Sequence, residues 1–338
     1  MREERTVPES EFESYYGRPI VKAPVWKQPD VPLYLFLGGV AGVSAVMAEG
    51  AAATGRPALQ RVSRLVAAGG AGLGTVALVH DLGRPARFLN MLRVFKPTSP
   101  LSVGSWILAP FATFASVAAA SEVTGIAPRI GRLAGRGAAA LGPPLATYTA
   151  ALICNTAVPS WHEAYREMAF LFAGSASSAA AGVAMMATPA SEAGPARRLA
   201  VAGATLDLLM ARRIEHGMGL LSEPYQVGRP GRLLTAARRL TAAGAVGSLV
   251  ADVLATRTPR HAAARVASAL SGLALVGGSV LMRFGVFQAG VDSTKDPKYV
   301  VIPQRNRRDA ADAAAAQMDV ATAVAPLGDQ ARGAPAPV

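Results

Sequence analysis

Long apolar segments alternate with short polar connections along this chain. A membrane-spanning helix needs about 20 mainly apolar residues, and eight segments approach that length. Their richness in small residues favours closely packed helices over a strand barrel. The pattern therefore predicts an all-α integral membrane protein, a bundle of eight transmembrane helices with both termini on the same side. The predicted spans are Leu33–Ala53, Val62–Val79, Val103–Ser121, Pro143–Val158, Ala169–Ala187, Leu199–Ala211, Leu240–Leu254 and Val266–Phe287.

These spans divide the chain into an N-terminal arm (1–32), a transmembrane domain (33–290) and a C-terminal tail (291–338). From about residue 305 the tail is rich in Ala, Asp and Pro, which is typical of disorder. His80, His162 and His216 follow the second, fourth and sixth spans, so they are predicted at similar depth on the face that carries the termini. His261 falls in a basic connection on the other face, where we expect it to be solvated.

Composition supports the membrane assignment. The chain is 51% hydrophobic and 17% charged, whereas about a quarter of a soluble domain is charged. In so apolar a chain, the net charge of +12 indicates basic loops and lipid headgroups rather than nucleic acid. Lys and Arg occur on both faces, so they do not fix the orientation. A single cysteine, Cys154, excludes an intrachain disulfide and an iron–sulfur cluster held by this chain alone.

The connection "DLGRPARFLNMLRVFKPTSPLSVGSW" resembles the loop between the second and third helices of the NrfD family, the polysulfide reductase membrane subunits. The stretches "PSWHEAYREMAFLFAGSA" and "SEPYQVGRPGRL" are similar to later signatures of that family. The resemblance implies a subunit in the cell membrane that binds quinone, either menaquinone or ubiquinone. It also implies partners, namely an iron–sulfur subunit and a catalytic subunit, often of the molybdopterin type. The chain itself is then not catalytic alone.

A quinone site needs hydrogen-bond donors and a proton route, and titratable side chains cluster at the ends of the predicted helices. The resemblance adds a tyrosine on the fourth span, and Asn155 lies on the same helical face as that tyrosine. Early in the first span, where relatives carry other polar residues, Tyr34 is the one hydrogen-bonding side chain. The predicted quinone-binding residues are His80, Asp81, Arg84, Tyr148, Asn155, His162 and Glu163.

Several of these residues also have a purely structural interpretation. In that alternative, Asp81 forms a local ion pair with Arg84 or Arg87. His80 then only complements the dipole of its helix, and His162 with its neighbours only anchors the chain at the membrane interface.

An ionisable side chain deep in a membrane is costly, which makes Asp207 a functional hypothesis, with a structural hydrogen bond or an ion pair with an arginine as the alternative. The predicted proton-path residues are Glu49, Glu167, Asp207 and Asp252. A docking surface for the iron–sulfur partner is predicted at Arg87, Arg93, Lys96 and Trp26, although the N-terminal arm is equally interpretable as a solvated tail.

A secondary transporter or channel is the alternative class. Such a protein is expected to show paired broken helices and polar groups near the midplane, whereas here only Asp207 is central. Every histidine lies at a helix end or in a loop, and C-x-x-C-H is absent, so neither haem nor a metal is expected in this chain.

Overall fold

A computed structural model describes residues 20–84, 86–257 and 261–330. Within these ranges the chain is helical and has no strand. Two compact units are distinguished, the bundle of residues 23–293 and a unit that joins residues 20–22 with residues 294–330. The bundle contains eight long helices: α1 (Asp30–Ala53), α2 (Pro57–Leu82), α4 (Pro100–Thr124), α5 (Pro128–Cys154), α7 (Tyr165–Ala187), α8 (Gly194–Gly217), α10 (Gly228–Arg257) and α11 (His261–Ser293). Short helices α3 (Ala86–Met91), α6 (Pro159–Glu163) and α9 (Glu223–Gln226) lie in the connections.

Seven of the described helices are long and apolar enough to cross a membrane, which identifies a multi-pass membrane protein by length and composition. They are α1, α2, α4, α5, α7, α10 and α11. α8, which contains the predicted sixth span, is as long as these at 24 residues. It carries six charged side chains, however, and is not among the seven. The predicted count of eight spans therefore stays a prediction.

The long helices pack as two groups of four. α1, α2, α4 and α5 form one group, and α7, α8, α10 and α11 form the other. α1 and α5 of the first group pack against α7 of the second, and α1 also contacts α11. Glycines allow the closest crossings: a Cβ on Gly42 of α1 would meet the carbonyl oxygen of Gly142 on α5, and Gly182 of α7 faces Gly272 of α11 in the same way. This packing through small residues is the kind the composition predicts.

Several helices extend beyond the predicted spans. α5 begins at Pro128, 15 residues before the predicted start at Pro143, so the basic stretch "PRIGRLAGRG" forms its first turns. Proline suits the first turn because its missing N–H has no intrahelical partner there. A hydropathy window ends where arginines begin, whereas the helix continues because arginine side chains reach the interface. At the other end, Gly83 and Gly125 close α2 and α4 in the left-handed conformation that glycine adopts most easily.

The tail also differs from the expectation of disorder. The helix α12 (Lys298–Gln330) occupies most of the segment after Thr294. Alanine is the strongest helix former, and the alanine runs in this segment explain why it is helical. The first 19 residues of the predicted N-terminal arm, residue 85 and the side chain of His261 lie outside the described residues.

Candidate functional site

An open pocket of about 650 Å³ lies among α4, α5, α6 and α7. Most of its wall is apolar and comes from α5. Its polar lining consists of Thr147, Tyr148, Asn155, His162 and Tyr165. Three of the predicted quinone-binding residues, Tyr148, Asn155 and His162, are thus brought together by the fold. The helical periodicity of α5 explains the first two, since residues seven apart lie on one face.

The ring of Tyr148 is held by two neighbouring helices. Gly104 of α4 lies directly against the ring, so that a Cβ at this position would overlap it. Tyr34 of α1 packs with its ring at 67° to that of Tyr148, at 6.5 Å between centroids. Edge-to-face packing of this kind is favourable for aromatic pairs. Tyr34 is buried and does not line the pocket, so its contact with Tyr148 is one of packing.

A hydrogen bond from Nδ1 to a backbone carbonyl oxygen holds the ring of His162. Its Nδ1 lies 3.1 Å from the carbonyl oxygen of Cys154 at the end of α5. A carbonyl oxygen only accepts hydrogen bonds, so Nδ1 carries the hydrogen and Nε2 is left to exchange a proton. His162 therefore has a fixed ring and a basic nitrogen not used in this contact, which a proton-transfer residue requires.

The short helix α6, which carries His162, is anchored by buried side chains. Trp161 is fully buried and donates from Nε1 to the carbonyl oxygen of Val286 at 2.8 Å. The hydroxyl of Tyr225 donates to the carbonyl oxygen of Ser160 at 2.9 Å. Burial raises the pKa of Tyr225 well above its usual value, so it remains a neutral donor.

The three predicted residues at the end of α2 do not line this pocket. His80 is largely exposed and pairs through Nδ1 with Oδ2 of Asp30 at 2.7 Å. Asp81 accepts from the backbone N–H of Lys27 at 2.8 Å instead of pairing with a neighbouring arginine. Arg84 is exposed. His80 and Asp81 therefore hold the first residue of α1 and the segment just before it, a contact that periodicity alone does not predict.

The predicted docking residues are mostly exposed. Arg87 donates to the carbonyl oxygen of Leu82 at 3.0 Å, and Arg93 and Lys96 lie exposed in the connection after α3. Trp26 differs, because its ring stacks on Trp161 at 5.8 Å between centroids. The arm at this point is packed on the bundle and is not a solvated tail.

Glu49 and Asp252, predicted in a proton path, are paired with buried arginines. Arg64 of α2 donates to Glu49 of α1 at 3.0 Å and to Glu122 of α4 at 2.9 Å. Arg197 of α8 donates to Asp252 of α10 at 2.8 Å. These pairs fix helix against helix. Glu163 is exposed and Glu167 half-buried, and neither lines the pocket.

Asp207 is buried and, among the described residues, forms no direct ion pair. Its Oδ2 has no hydrogen-bond partner there, and Ser175 and the fully buried Arg283 lie near it. Arg283 donates to the carbonyl oxygen of Phe172 at 3.0 Å. Arg283 lies inside the last predicted span and is therefore visible in the sequence as a charge in an apolar segment, but it is not among the predicted site residues.

A narrow crevice connects Asp207 with an ion pair nearer the end of α8. Glu215 and Arg238 form this pair, and Thr241 lines the space between them and Asp207. The space of about 20 Å³ admits one water.

The helical bundle and its pocket define a multi-pass membrane protein with hydrogen-bonding side chains gathered in a pocket at one end of its helices. The family described as Polysulphide reductase, NrfD, matches residues 21–210, which is more than half of the chain. The chain therefore belongs to the NrfD family of membrane subunits of oxidoreductase complexes, and the resemblance found in the sequence is confirmed. The matched range contains every residue of the pocket. No curated protein matches the chain.

Proposed function

We propose that this chain is the quinone-reactive membrane subunit of a multi-subunit oxidoreductase. Quinone or quinol binds in the pocket lined by Tyr148, Asn155 and His162. The observation that carries this proposal is the convergence of these three side chains on one open pocket of about 650 Å³, a size that suits a small-molecule ligand.

The side chains of the pocket match the needs of a quinone ring. A bound quinone supplies the exchange of electrons and protons with the membrane pool. The hydroxyl of Tyr148 and the amide of Asn155 are donors for carbonyl oxygens. His162 takes up or releases a proton at Nε2, since its Nδ1 is occupied by the Cys154 carbonyl.

The partners in this proposal are an iron–sulfur subunit and a catalytic subunit of the molybdopterin type, as is typical of the family. The exposed Arg87, Arg93 and Lys96 form the docking surface for the iron–sulfur subunit. α8 forms the eighth span, and residues of other helices pair with some of its charged side chains. With eight spans, both ends of the bundle lie on the same side of the membrane. The complex resides in the cell membrane and uses menaquinone or ubiquinone. Proton conduction, if coupled to turnover, involves Asp207.

The test begins with purification of the chain in mild detergent, followed by quinol oxidation with the co-purified subunits. His162→Gln is expected to lower kcat about 100-fold, the contribution typical of a general acid or base. Tyr148→Phe is expected to raise KM about tenfold, because one hydrogen bond is worth about 1 kcal/mol or slightly more.

His216→Gln is the matched control. His216 also is exposed and lies at a helix end with Nδ1 near a backbone carbonyl oxygen, that of Arg212 at 2.8 Å, yet it is outside the pocket. Turnover that is unchanged in His162→Gln, or lowered equally in His216→Gln, would refute the assignment of the pocket. A chain that purifies alone and transports a solute in liposomes would support the transporter class instead.

A further inference from the structure

One face of α7 carries four residues at successive four-residue intervals, Tyr165, Ala169, Ala173 and Ser177. The first two line the pocket that contains His162, and the last two line a second cleft of about 450 Å³. From Tyr165 to Ser177 the helix rises about 18 Å.

The two clefts adjoin along α5. Thr147 lines both of them, and the adjacent Pro144 and Pro143 line the first and the second respectively. We name the two adjoining clefts between α5 and α7 the α5–α7 groove.

The chemistry of the α5–α7 groove changes from one end to the other. The end at α6 presents Tyr148, Asn155 and His162. The far end lies between the two four-helix groups and is apolar, with α1 and α8 contributing Val43, Val46, Met47 and Leu199. A ligand that fills it must be polar at one end and a long hydrocarbon at the other.

We propose that the α5–α7 groove binds the isoprenoid tail of the quinone whose head occupies the pocket at His162. This inference rests on the proposed function. A phospholipid fits less well, because the lining of the head pocket includes no Lys or Arg to pair with a phosphate. In a membrane the tail gains no hydrophobic energy by leaving lipid, so its contribution is close packing, which responds to the shape of the groove.

Binding of two probes to the full-length chain in lipid nanodiscs tests this proposal. The probes are menadione, a naphthoquinone head without a tail, and its tetraprenyl homologue. Both quench tryptophan fluorescence, and Trp161 lies next to His162 in the chain. Ala173→Leu and Ser177→Leu, made separately, place a larger side chain in the groove about 12 and 18 Å along α7 from Tyr165.

Each variant is expected to raise the Kd of the tetraprenyl quinone about tenfold, since overpacking of a fitted site costs at least that much. The Kd of menadione stays within about twofold, which also reports that the variant is folded. Ala243→Leu, an exposed position on α10 that lines neither cleft, changes neither Kd.

An unchanged Kd for the tetraprenyl quinone in both groove variants overturns the tail assignment and leaves quinone binding standing. Equal losses for menadione and its homologue also overturn it, because the substitutions then act on the head pocket. If neither probe quenches the unsubstituted chain, the proposed function itself fails, and the tail groove with it.

Discussion

The Glu49, Arg64 and Glu122 cluster predicts that Arg64 is required for stability rather than for turnover. Arg64 is only 6% exposed and holds one carboxylate from α1 and one from α4. Arg64→Met keeps much of the side-chain volume but leaves two carboxylates close together without a cation. Removal of one member of a buried ion pair costs about 3 to 5 kcal/mol. Because Glu49 and Glu122 are about a fifth exposed, we expect the lower value, about 3 kcal/mol.

The measurement is the rate of irreversible inactivation at fixed temperature in detergent, the usual form of stability for a membrane protein. Arg64→Met is expected to lose its fold many times faster than the unsubstituted chain. The triple variant Arg64→Met, Glu49→Gln, Glu122→Gln is expected to recover most of the loss, since neutral amides tolerate the missing cation. Equal stability of Arg64→Met and the unsubstituted chain would refute this account. A triple variant no better than Arg64→Met would assign the cost to packing instead of charge.

Three further predictions concern the site and its surroundings. Asp207→Asn removes the titratable group at the end of the crevice, so we expect proton uptake coupled to turnover to fall; unchanged stoichiometry would remove Asp207 from any route. Gly104→Ala places a methyl group where the ring of Tyr148 lies and is expected to raise the Kd of menadione about tenfold, whereas Gly69→Ala, which has open space, is the control without effect. Trp26→Ala removes a stacked ring from α6 and is expected to destabilise the bundle by about 1 kcal/mol, measured by the same inactivation assay.

Helical periodicity accounts for the part of the site that the sequence predicts. Tyr148 and Asn155 share a face because they lie on one helix, and His162 follows the same helix after a short turn. His80 and Asp81 have partners at the start of α1 and just before it, Asp30 and Lys27 respectively. A pairing of segments 50 or more residues apart is set by how the helices pack, and no local pattern in the sequence reports it.

The same reasoning explains why the predicted acids did not assemble into one path. Glu49 and Asp252 are rare charges in apolar segments, which marks them as functional candidates. Each has an arginine on a neighbouring helix, and the arginines fell just outside the predicted spans or at their ends. Arg64 lies two residues inside the predicted second span and Arg197 two residues before the predicted sixth span, because hydropathy windows end at such positions. The structure places both near the beginnings of longer helices, where they neutralise the acids.

Each group of four helices contains an ion pair at the equivalent position. In the first group Arg64, early in α2, pairs with Glu122 near the end of α4. In the second group Arg197, early in α8, pairs with Asp252 near the end of α10. Both pairs therefore join the second long helix of a group to the third, at the end of the helices far from His162. Ion pairs join the helices at this far end, whereas the lining of the pocket at His162 includes no Asp, Glu, Lys or Arg. A quinone is uncharged, and such a lining binds it without the cost of desolvating those charged side chains.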